Sequence, residues 1–316
     1  MEQTLDAHPL VATVRARTSL SSQVLTVVAV AVPPFGLLSA MGVLWGVGFG
    51  SVSLATLLVM YTLCGLGITV GFHRLFTHRS FETTQPVRAL WAILGCMAMQ
   101  GPLTQWVTDH RKHHALSDQE GDPHSPHAGH GDGVLGVAVG LVHAHVGWLF
   151  RTKGLERGWQ YGRDLYSDRL IRTIDRLYLV WVVVTLGIPF LIGYTAGAGS
   201  VSLGLEVMVW GGVLRIFLFQ HVTWSINSIC HAFGTRPYRT RDESRNVWLL
   251  ALPSFGEAWH NNHHAFPASA VHGLDPRQLD LSALVIGAME RLGVAWDVKR
   301  PSERQRARRR AQAAEA

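Results

Sequence analysis

The segment His110-Arg-Lys-His113-His114 places three histidines at positions i, i+3 and i+4. A second segment, His260-Asn-Asn-His263-His264, repeats this spacing. Residues three and four apart lie on the same face of an α-helix. The spacing therefore predicts that the three imidazoles of each segment can point to one place. Imidazole is the commonest metal ligand in proteins, so both segments are candidate metal-binding helices.

A third pair, His73 and His78, lies five residues apart in His73-Arg-Leu-Phe-Thr-His78. On a regular helix the two side chains would be roughly 140° apart. They converge only if the helix ends or loosens between them. A lone pair of this kind is usually structural, but eight histidines in three tight clusters point to metal.

The number of clustered histidines indicates more than one ion. Zinc takes about four ligands and octahedral metals about six, so eight imidazoles exceed the capacity of a single site. Two metals are the simplest prediction. His231 is a ninth candidate, with Asn227 one helical turn before it, although a histidine at a helix end is often structural.

Charged residues are absent from two long stretches. None occurs between Thr18 and His73, and only Glu206 occurs between Leu177 and Leu214. A crossing needs about 20 apolar residues, so each stretch has room for two spans. We predict spans near 22–47, 50–72, 177–195 and 201–224. A large soluble core is the alternative, and it would have to contain both charge-free pairs.

The predicted fold is all-α: one integral membrane domain over 1–316, with four spans in two hairpins and a cytosolic helical cap that holds the dimetal site. Lys and Arg fall mainly before the first span, between the second and third, and after the fourth. The positive-inside rule places both termini and all three His clusters in the cytoplasm. The cap would comprise 73–176 and 225–298, followed by a basic tail over 299–316.

Shorter segments complete the prediction. Residues 87–100 are apolar but too few to cross, so they predict an interfacial helix. The Gly/Pro-rich segment 117–133 predicts a loop in which His124, His127 and His130 are surface residues. The tail beyond Lys299 predicts a frayed basic segment near anionic lipid. A membrane surface accounts for the basic balance, so nucleic-acid binding is not implied, and the three cysteines are assigned packing roles.

The motifs resemble those of the integral-membrane fatty-acyl desaturases, in particular the stearoyl-CoA (delta-9) branch, over roughly residues 55–270. The matching segments are Gly71-Phe-His73-Arg-Leu-Phe-Thr-His78, Asp109-His110-Arg-Lys-His113-His114, Ser117-Asp118 with Asp122-Pro123-His124, His145-Val-Gly-Trp148, Asn227-Ser-Ile-Cys-His231 and Gly256-Glu257-Ala-Trp-His260-Asn-Asn-His263-His264.

This resemblance implies a di-iron centre with nine histidine ligands and a water held by Asn227. The implied ligands are His73, His78, His110, His113, His114, His231, His260, His263 and His264. It further implies an O2-dependent delta-9 cis desaturation of a saturated acyl chain, most simply carried as acyl-CoA. Two electrons would come from a separate donor such as ferredoxin, cytochrome b5 or a reductase.

The resemblance also assigns residues to the substrate. Gln100, Trp106 and Thr223 match positions that bend the acyl tunnel, and positioning of this kind is itself catalytic. Tyr61 matches the tunnel floor, with Gly65 above it, although ordinary span packing is the alternative for Tyr61. Arg151, Lys153 and Trp148 match positions near the head group, where Arg111 could add charge; solvated basic residues are the alternative.

Three carboxylates lie beside the predicted ligands in the sequence, namely Asp109, Asp118 and Glu257. A metal-bound histidine normally donates its second N–H to a carboxylate or carbonyl. We therefore predict that these residues orient imidazoles, with direct ligation as the alternative.

Two other functions fit the histidine pattern. A membrane hydroxylase of alkyl chains would share the hydrogen-abstraction step, but the loop motifs and bent-tunnel residues favour desaturation. A metal transporter would place polar ligands inside the spans. The predicted spans contain few such residues, so this alternative fits less well.

Overall fold

The computed structural model describes residues 49–131, 133–150 and 158–314, and it is built almost entirely of helices. In chain order the elements are α1 (Ser51–Leu66), a first π-helix (Gly67–Thr77), β1 (Glu82–Thr83), α2 (Gln85–Met97), α3 (Leu103–Leu116), α4 (Gly133–His145), a 3-10 turn (Gly147–Phe150), α5 (Gly158–Ser167), α6 (Arg169–Arg176), α7 (Tyr178–Ala196), α8 (Val201–Met208), a second π-helix (Val209–Leu214), α9 (Arg215–Ala232), α10 (Trp248–Ala251), α11 (His260–Ala265), α12 (Leu281–Arg291), β2 (Ala295–Trp296) and α13 (Glu303–Ala314).

Three continuous helices are long and apolar enough to cross a membrane within the described residues. They run over Ser51–Thr77, Tyr178–Ala196 and Val201–Ala232. These helices coincide with the second, third and fourth predicted spans, and they extend the second and fourth at their carboxyl ends. The first predicted span, 22–47, lies outside the described residues, so the four-span topology stays a prediction. We call the described residues outside these three helices the cap.

The first long helix changes its winding before it reaches His73. Over Gly67–Thr77 it is a π-helix, in which hydrogen bonds join residues five apart, and the amide of His78 donates to the His73 carbonyl at 3.1 Å. This i→i+5 winding places residues five apart on one face. His73 and His78 were expected to converge only if the helix ends or loosens between them. The π-helix is this loosened winding.

Helix α2 approaches the first π-helix so closely that glycine is required at the contact. A Cβ atom on Gly67 would lie 2.4 Å from the backbone nitrogen of Gly95, and one on Gly95 would lie 2.2 Å from the Phe72 ring. No side chain fits at such distances without backbone movement. The contact fixes the turn that carries His73 against the predicted interfacial helix, which the structure places at Gln85–Met97.

The carboxyl-terminal part of the cap returns to the first histidine segment. Strands β1 and β2 pair antiparallel, with Glu82 opposite Trp296 and Thr83 opposite Ala295. The amide of Lys299 donates to the Ser80 carbonyl at 2.8 Å. These bonds hold the segment after α12 beside the loop that follows His78.

Helices α4 and α13 differ from what the sequence analysis predicted for their segments. Helix α4 is apolar but has only 13 residues, and its Val134 and Leu135 side chains are 89% and 77% exposed. Helix α13 replaces the frayed tail expected after Lys299. Its first turn is capped, because Ser302 Oγ accepts from the Gln305 amide and Gln305 Oε1 accepts from the Ser302 amide.

The three cysteines are buried and free, as their packing role requires.

Candidate metal centre

Five imidazoles from three segments form one tight group. One nitrogen from each ring lies within 4.8 Å of those of the others. Neighbouring Nε2 atoms lie 2.9 to 3.2 Å apart along the series of rings. We call this set the five-histidine group; it contains His73, His78, His110, His114 and His263.

Four further imidazoles form a second group beside the first. Their nitrogens also lie within 4.8 Å of one another, and the Nε2 atoms of His231 and His260 are 3.0 Å apart. We call this set the four-histidine group; it contains His113, His231, His260 and His264. The structure thus brings all nine predicted histidines into two adjacent groups.

Each histidine-rich helix divides its side chains between the two groups, contrary to the expectation that each would aim at one place. On α3 the ring centroids of His110 and His114 are 4.7 Å apart, while His110 and His113 are 5.8 Å apart. On α11 the rings of His260 and His264 are 4.3 Å apart. Residues four apart share a group, and the residue at i+3 turns to the other one. One helical turn therefore serves two sites.

Buried carboxylates hold four of the imidazoles by Nδ1. Glu257 accepts from His73, and Asp118 accepts from His231 at 2.8 Å. Both carboxylates were predicted to orient imidazoles. Because an Nδ1–H that donates to a carboxylate leaves Nε2 as the free acceptor, these bonds aim the Nε2 lone pairs into the groups.

Two other carboxylates perform this function without having been singled out in the sequence. Asp122 accepts from Nδ1 of His113 at 3.0 Å, and Asp242 accepts from Nδ1 of His264 at 2.8 Å. Asp122 lies in the loop directly after the second segment, so a signal was present. Asp242 is 22 residues from its partner and carries no motif. Burial first, then the charge of Asp175 and then that of Asp109, raises the pKa of the Tyr166 hydroxyl. The orienting role of Asp109 stays a prediction.

Burial keeps most of these rings neutral. Burial first, and then repulsion from His264 and His231, lowers the pKa of His260 well below its usual value. Burial also lowers the pKa of His263. For His113 burial is again the largest single effect and acts in the same direction, but the carboxylates of Asp122, Asp118 and Asp242 together outweigh it and raise the pKa of the ring. Neutral imidazole is the form that binds a metal ion.

The donor set fits metal ions. The buried Nε2 atoms of His113 and His264 have no hydrogen-bond partner within the described part of the chain. In the five-histidine group the Nε2 atoms face one another, although Nδ1-protonated rings offer only acceptors there. A buried polar atom without a partner costs about 1–3 kcal/mol. A cation at each group would satisfy these lone pairs together.

His124 differs from its prediction as a surface residue. Its side chain is buried, 3% exposed, and its ring centroid lies 4.3 Å from that of His113. The other side of His124 meets the Trp148 ring, with centroids 5.2 Å apart. His124 therefore packs behind the four-histidine group, whereas His127 of the same loop is exposed as predicted.

A buried arginine joins the first and third histidine segments. Arg74 is 0% exposed and donates to Glu257, to the Ala270 carbonyl at 2.8 Å and to Asp280 at 3.1 Å. Asp280 also caps α12, because it accepts from the Ala283 amide at 2.9 Å. His272, likewise fully buried, stacks on His263 with ring centroids 4.4 Å apart. Sequence reasoning missed this network, which holds Glu257 against His73.

A narrow, mostly apolar cavity opens onto both groups. It is lined by Ile68, Thr69, His73, Trp106, His110, Phe219, Val222, Thr223, Ile226, Asn227, Ser254, Glu257 and His260. The wall is braced by side-chain hydrogen bonds: Gln100 Nε2 donates to Thr223 at 2.8 Å, and Trp106 Nε1 donates to Gln100 Oε1 at 3.1 Å. Three predicted tunnel residues are therefore joined to one another at the cavity, and Asn227 lies in its wall.

Two further aromatic rings, those of Tyr61 and Phe255, pack against Phe219, which lines the cavity. Tyr61 meets Phe219 edge to face, with centroids 5.4 Å apart, and its hydroxyl donates to the Pro253 carbonyl at 2.8 Å. The Phe255 ring covers Gly65, where a Cβ atom would come within 2.3 Å of it. Tyr61 thus contacts one residue of the cavity wall, and its role as the floor of the tunnel stays a prediction.

Two of the predicted head-group residues, Arg111 and Trp148, lie within the described chain, and neither lines the cavity. The Arg111 guanidinium donates to Asp164 at 2.7 Å and to the Phe76 carbonyl at 2.7 Å, which ties α3 to α5 and to the first π-helix. A head-group contact by Arg111 or Trp148 stays a prediction. Arg151 and Lys153 lie outside the described residues.

The structure combines three membrane-length helices with two imidazole groups beside an apolar cavity. These features define a histidine-rich membrane protein with metal-binding capacity. A family model described as fatty acid desaturase matches residues 49–284, which include every histidine of both groups. The chain belongs to the membrane fatty acyl desaturase family, whose members are oxidoreductases of lipid metabolism.

Curated relatives share most of the chain. It is 43% identical over 272 residues to a hex-5-enoyl-[acyl-carrier protein] acetylenase of Moorena producens, covering 86% of this chain and 84% of that protein. It is 40% identical to delta-9 acyl-lipid desaturase 1 of Arabidopsis thaliana, covering 81% and 78%. It is 36% identical to an sn-1 stearoyl-lipid 9-desaturase of Anabaena variabilis, covering 79% and 84%.

Proposed function

We propose that this protein inserts a cis double bond at the delta-9 position of a saturated acyl chain, using O2 and two external electrons. The observation that carries the proposal is the apolar cavity whose wall includes His73, His110 and His260. His73 and His110 belong to the five-histidine group, and His260 belongs to the four-histidine group. An alkyl chain in this cavity would therefore lie against both candidate metal sites.

The reaction balances with one O2 for each double bond. Two adjacent methylenes each lose one hydrogen, and two electrons and two protons arrive from outside. The products are the cis alkene and two molecules of water. Alkyl C–H bonds are not acidic, so proton transfer by a side chain cannot start this reaction, and a redox metal is needed.

Iron is the metal we propose for both groups. The five-histidine group would hold one ion and the four-histidine group the other, with Asn227 holding a water at one of them. Bound iron would supply the one-electron chemistry that activates O2. The carboxylates Asp118, Asp122, Asp242 and Glu257 keep the rings oriented, and the surrounding burial keeps bulk water away.

The contribution of the cavity is to select which carbons react. The hydrogen-bonded series Trp106–Gln100–Thr223 gives one wall a fixed shape beside His110. An alkyl chain has no polar group at its middle, so shape alone must determine which bond lies nearest the metals. Holding the reacting carbons in place in this way lowers the entropic part of the barrier.

Membrane placement is part of the proposal. The described helices supply three spans, and residues 22–47 would supply the fourth. Both termini and the cap would lie in the cytoplasm, where a separate electron donor can reach them. The basic residues before the first span and after the fourth support this orientation.

Acyl-CoA is the carrier that the sequence resemblance favours. The relatives of this chain broaden the choice of acyl carrier, since their names include acyl-lipid desaturases, an acyl-carrier-protein acetylenase and an acyl-CoA C20 delta5-desaturase of Anemone leveillei. The assay must therefore offer the same acyl chain on CoA, on acyl-carrier protein and in a glycerolipid.

A second candidate function is the oxidation of an existing double bond to a triple bond. The relative at 43% identity is named as an acetylenase. That reaction needs the same cavity and the same two electrons, and it differs in the acyl chain that is bound. An unsaturated substrate therefore belongs in the same assay.

The test is expression in a host that lacks this desaturation, followed by mass-spectrometric mapping of the lipid products. We expect a delta-9 cis-monoene that disappears in His113→Ala. A hydroxylated lipid as the main product would replace the proposal by alkyl hydroxylation, and a triple bond would replace it by acetylenation. Metal movement across vesicles without any lipid product would indicate a transporter.

We propose that the Tyr61 ring, which packs against Phe219 of the cavity wall, limits the length of the acyl chain. Tyr61→Ala is therefore expected to shift the preferred substrate to longer chains. A hydrophobic pocket discriminates by about 10–200-fold per methylene, so the kcat/KM ratio of a longer to the usual chain should rise at least about 10-fold. Tyr61→Phe is the matched control, since it loses only the hydroxyl bond to Pro253. Unchanged product lengths in Tyr61→Ala would place the end of the cavity elsewhere.

A further inference from the structure

The last helix of the described chain is seated on the cap. Arg306 donates to the Leu274 carbonyl, and the Arg310 guanidinium lies 5.3 Å above the Tyr238 ring centroid. The backbones of Arg239 and Arg309 approach as well, since the Arg239 amide donates to the Arg309 carbonyl at 3.4 Å. Helix α13 and the loop at Tyr238 therefore form one continuous surface.

This surface is strongly basic. Seven basic residues and one acidic residue occur between Lys299 and Arg310. We use the name arginine patch for five exposed arginines of α13 and the neighbouring loop: Arg239, Arg241, Arg304, Arg308 and Arg309.

The loop that carries Arg239 and Arg241 also contacts residues of the four-histidine group. Behind Arg241, the side chain of Asp242 accepts from His264 at 2.8 Å. The backbone of Tyr238 exchanges two hydrogen bonds, of 2.9 and 3.1 Å, with the side chain of Asn261, which is adjacent to His260 on α11. Two short bonded routes thus join this surface to the four-histidine group.

The composition of the patch favours a protein partner over a lipid surface. Within the described residues 234–247 and 297–310, no large apolar side chain is exposed. The exposed apolar side chains border these ranges and lie outside them: Phe233, Trp248, Leu249, Leu252 and Trp296, of which Trp248 is 72% exposed. Segments that enter a bilayer interface present apolar residues of this kind. A flat surface rich in arginine is typical of protein recognition.

We propose that the arginine patch is the docking surface for a small acidic one-electron carrier protein. This inference rests on the proposed function, because the proposed desaturation takes two electrons from outside. Each reduced carrier would dock, lose one electron to the centre through the segment 238–242, and leave oxidised. Two such events would supply both electrons for each double bond.

The test compares charge-reversed variants in nanodiscs. Reduction of the metal-loaded protein is followed by stopped-flow absorbance, without acyl substrate, using a reduced acidic [2Fe–2S] ferredoxin as the probe. The test variants are R239E/R241E and R304E/R308E/R309E. The matched control is R163E/R169E/R172E, which reverses three exposed arginines on α5 and α6. Dithionite serves as a small reductant that needs no docking surface.

We expect both test variants to lower the second-order rate of reduction by ferredoxin at least about 10-fold at low salt, because complementary charge accelerates association to about this extent or more. The difference should shrink as ionic strength rises and screens the charges. The control variant, and reduction by dithionite in every variant, should keep wild-type rates.

Three results would overturn the proposal. Ferredoxin could reduce the test variants at the wild-type rate, or equal losses with dithionite would show damage to the centre. A loss confined to nanodiscs that contain phosphatidylglycerol would assign the patch to anionic lipid. If dithionite produced no absorbance change even in the wild type, the proposed function would fail separately, since the chain would hold no redox metal.

Discussion

Replacement of His263 by alanine is expected to abolish desaturation and to empty the five-histidine group. Its Nε2 atom lies 3.1 Å from that of His73 and 2.9 Å from that of His114, so this ring links the first and second segments. Loss of an outer hydrogen-bond partner of a metal ligand already costs about 10–100-fold in affinity or activity. Removal of a ligand should therefore cost more than about 100-fold in activity.

The measurement is the metal content per chain of purified protein, together with product formation. We expect the variant to lose one metal, or both, while it keeps its helical content. His130→Ala is the matched control, because His130 belongs to neither histidine group and bonds to the Ser125 carbonyl. Full metal loading and full activity in His263→Ala would remove this residue from the centre.

Arg74→Met is expected to destabilise the folded protein by about 3–5 kcal/mol. Removal of one member of a buried ion pair leaves an uncompensated charge, and here two carboxylates, Glu257 and Asp280, would lose their common partner. The charge of Arg74→Lys would remain, but lysine lacks the planar fork that reaches both carboxylates, so an intermediate loss is expected.

Thermal unfolding in a fixed detergent, followed by the release of bound metal, measures this effect. Arg79→Met is the matched control, because Arg79 pairs with Asp164 while its side chain is 58% exposed. An exposed pair contributes about 0–1 kcal/mol, so the control should unfold almost as the wild type does. Equal losses in Arg74→Met and Arg79→Met would show that burial of the network contributes little.

Local spacing predicted the three clusters that contain eight of the grouped histidines, and the family resemblance supplied His231 as the ninth. A helix determines where residues three, four or five apart point, and no long-range contact is needed to read this. The same patterns could not show how α3 and α11 divide between two groups, because that division depends on how the two helices pack. The expectation that each helix aims at one place was wrong for this reason.

Long-range partners were the residues that sequence reasoning missed. Asp242 meets His264 across 22 residues, and Arg74 meets Asp280 across 206. Neither pairing has a periodic signature, since each arises only when loops are brought together by the fold. Asp118 and Glu257 were predicted because they stand beside the histidine segments. Asp109 stands equally near, and its orienting role stays a prediction.

The loosened winding at Gly67–Thr77 also limits how the chain can tolerate change. In a regular helix, deletion of one residue rotates everything after it by about 100°. A single deletion here would leave the length of the span almost unaltered. Between His73 and His78 it would turn the two rings apart, and before His73 it would turn both rings away from the other histidines. Insertions and deletions should therefore be rarer in these eleven positions than in the outer half of the same span, and alignments of distant homologues should be anchored here without gaps.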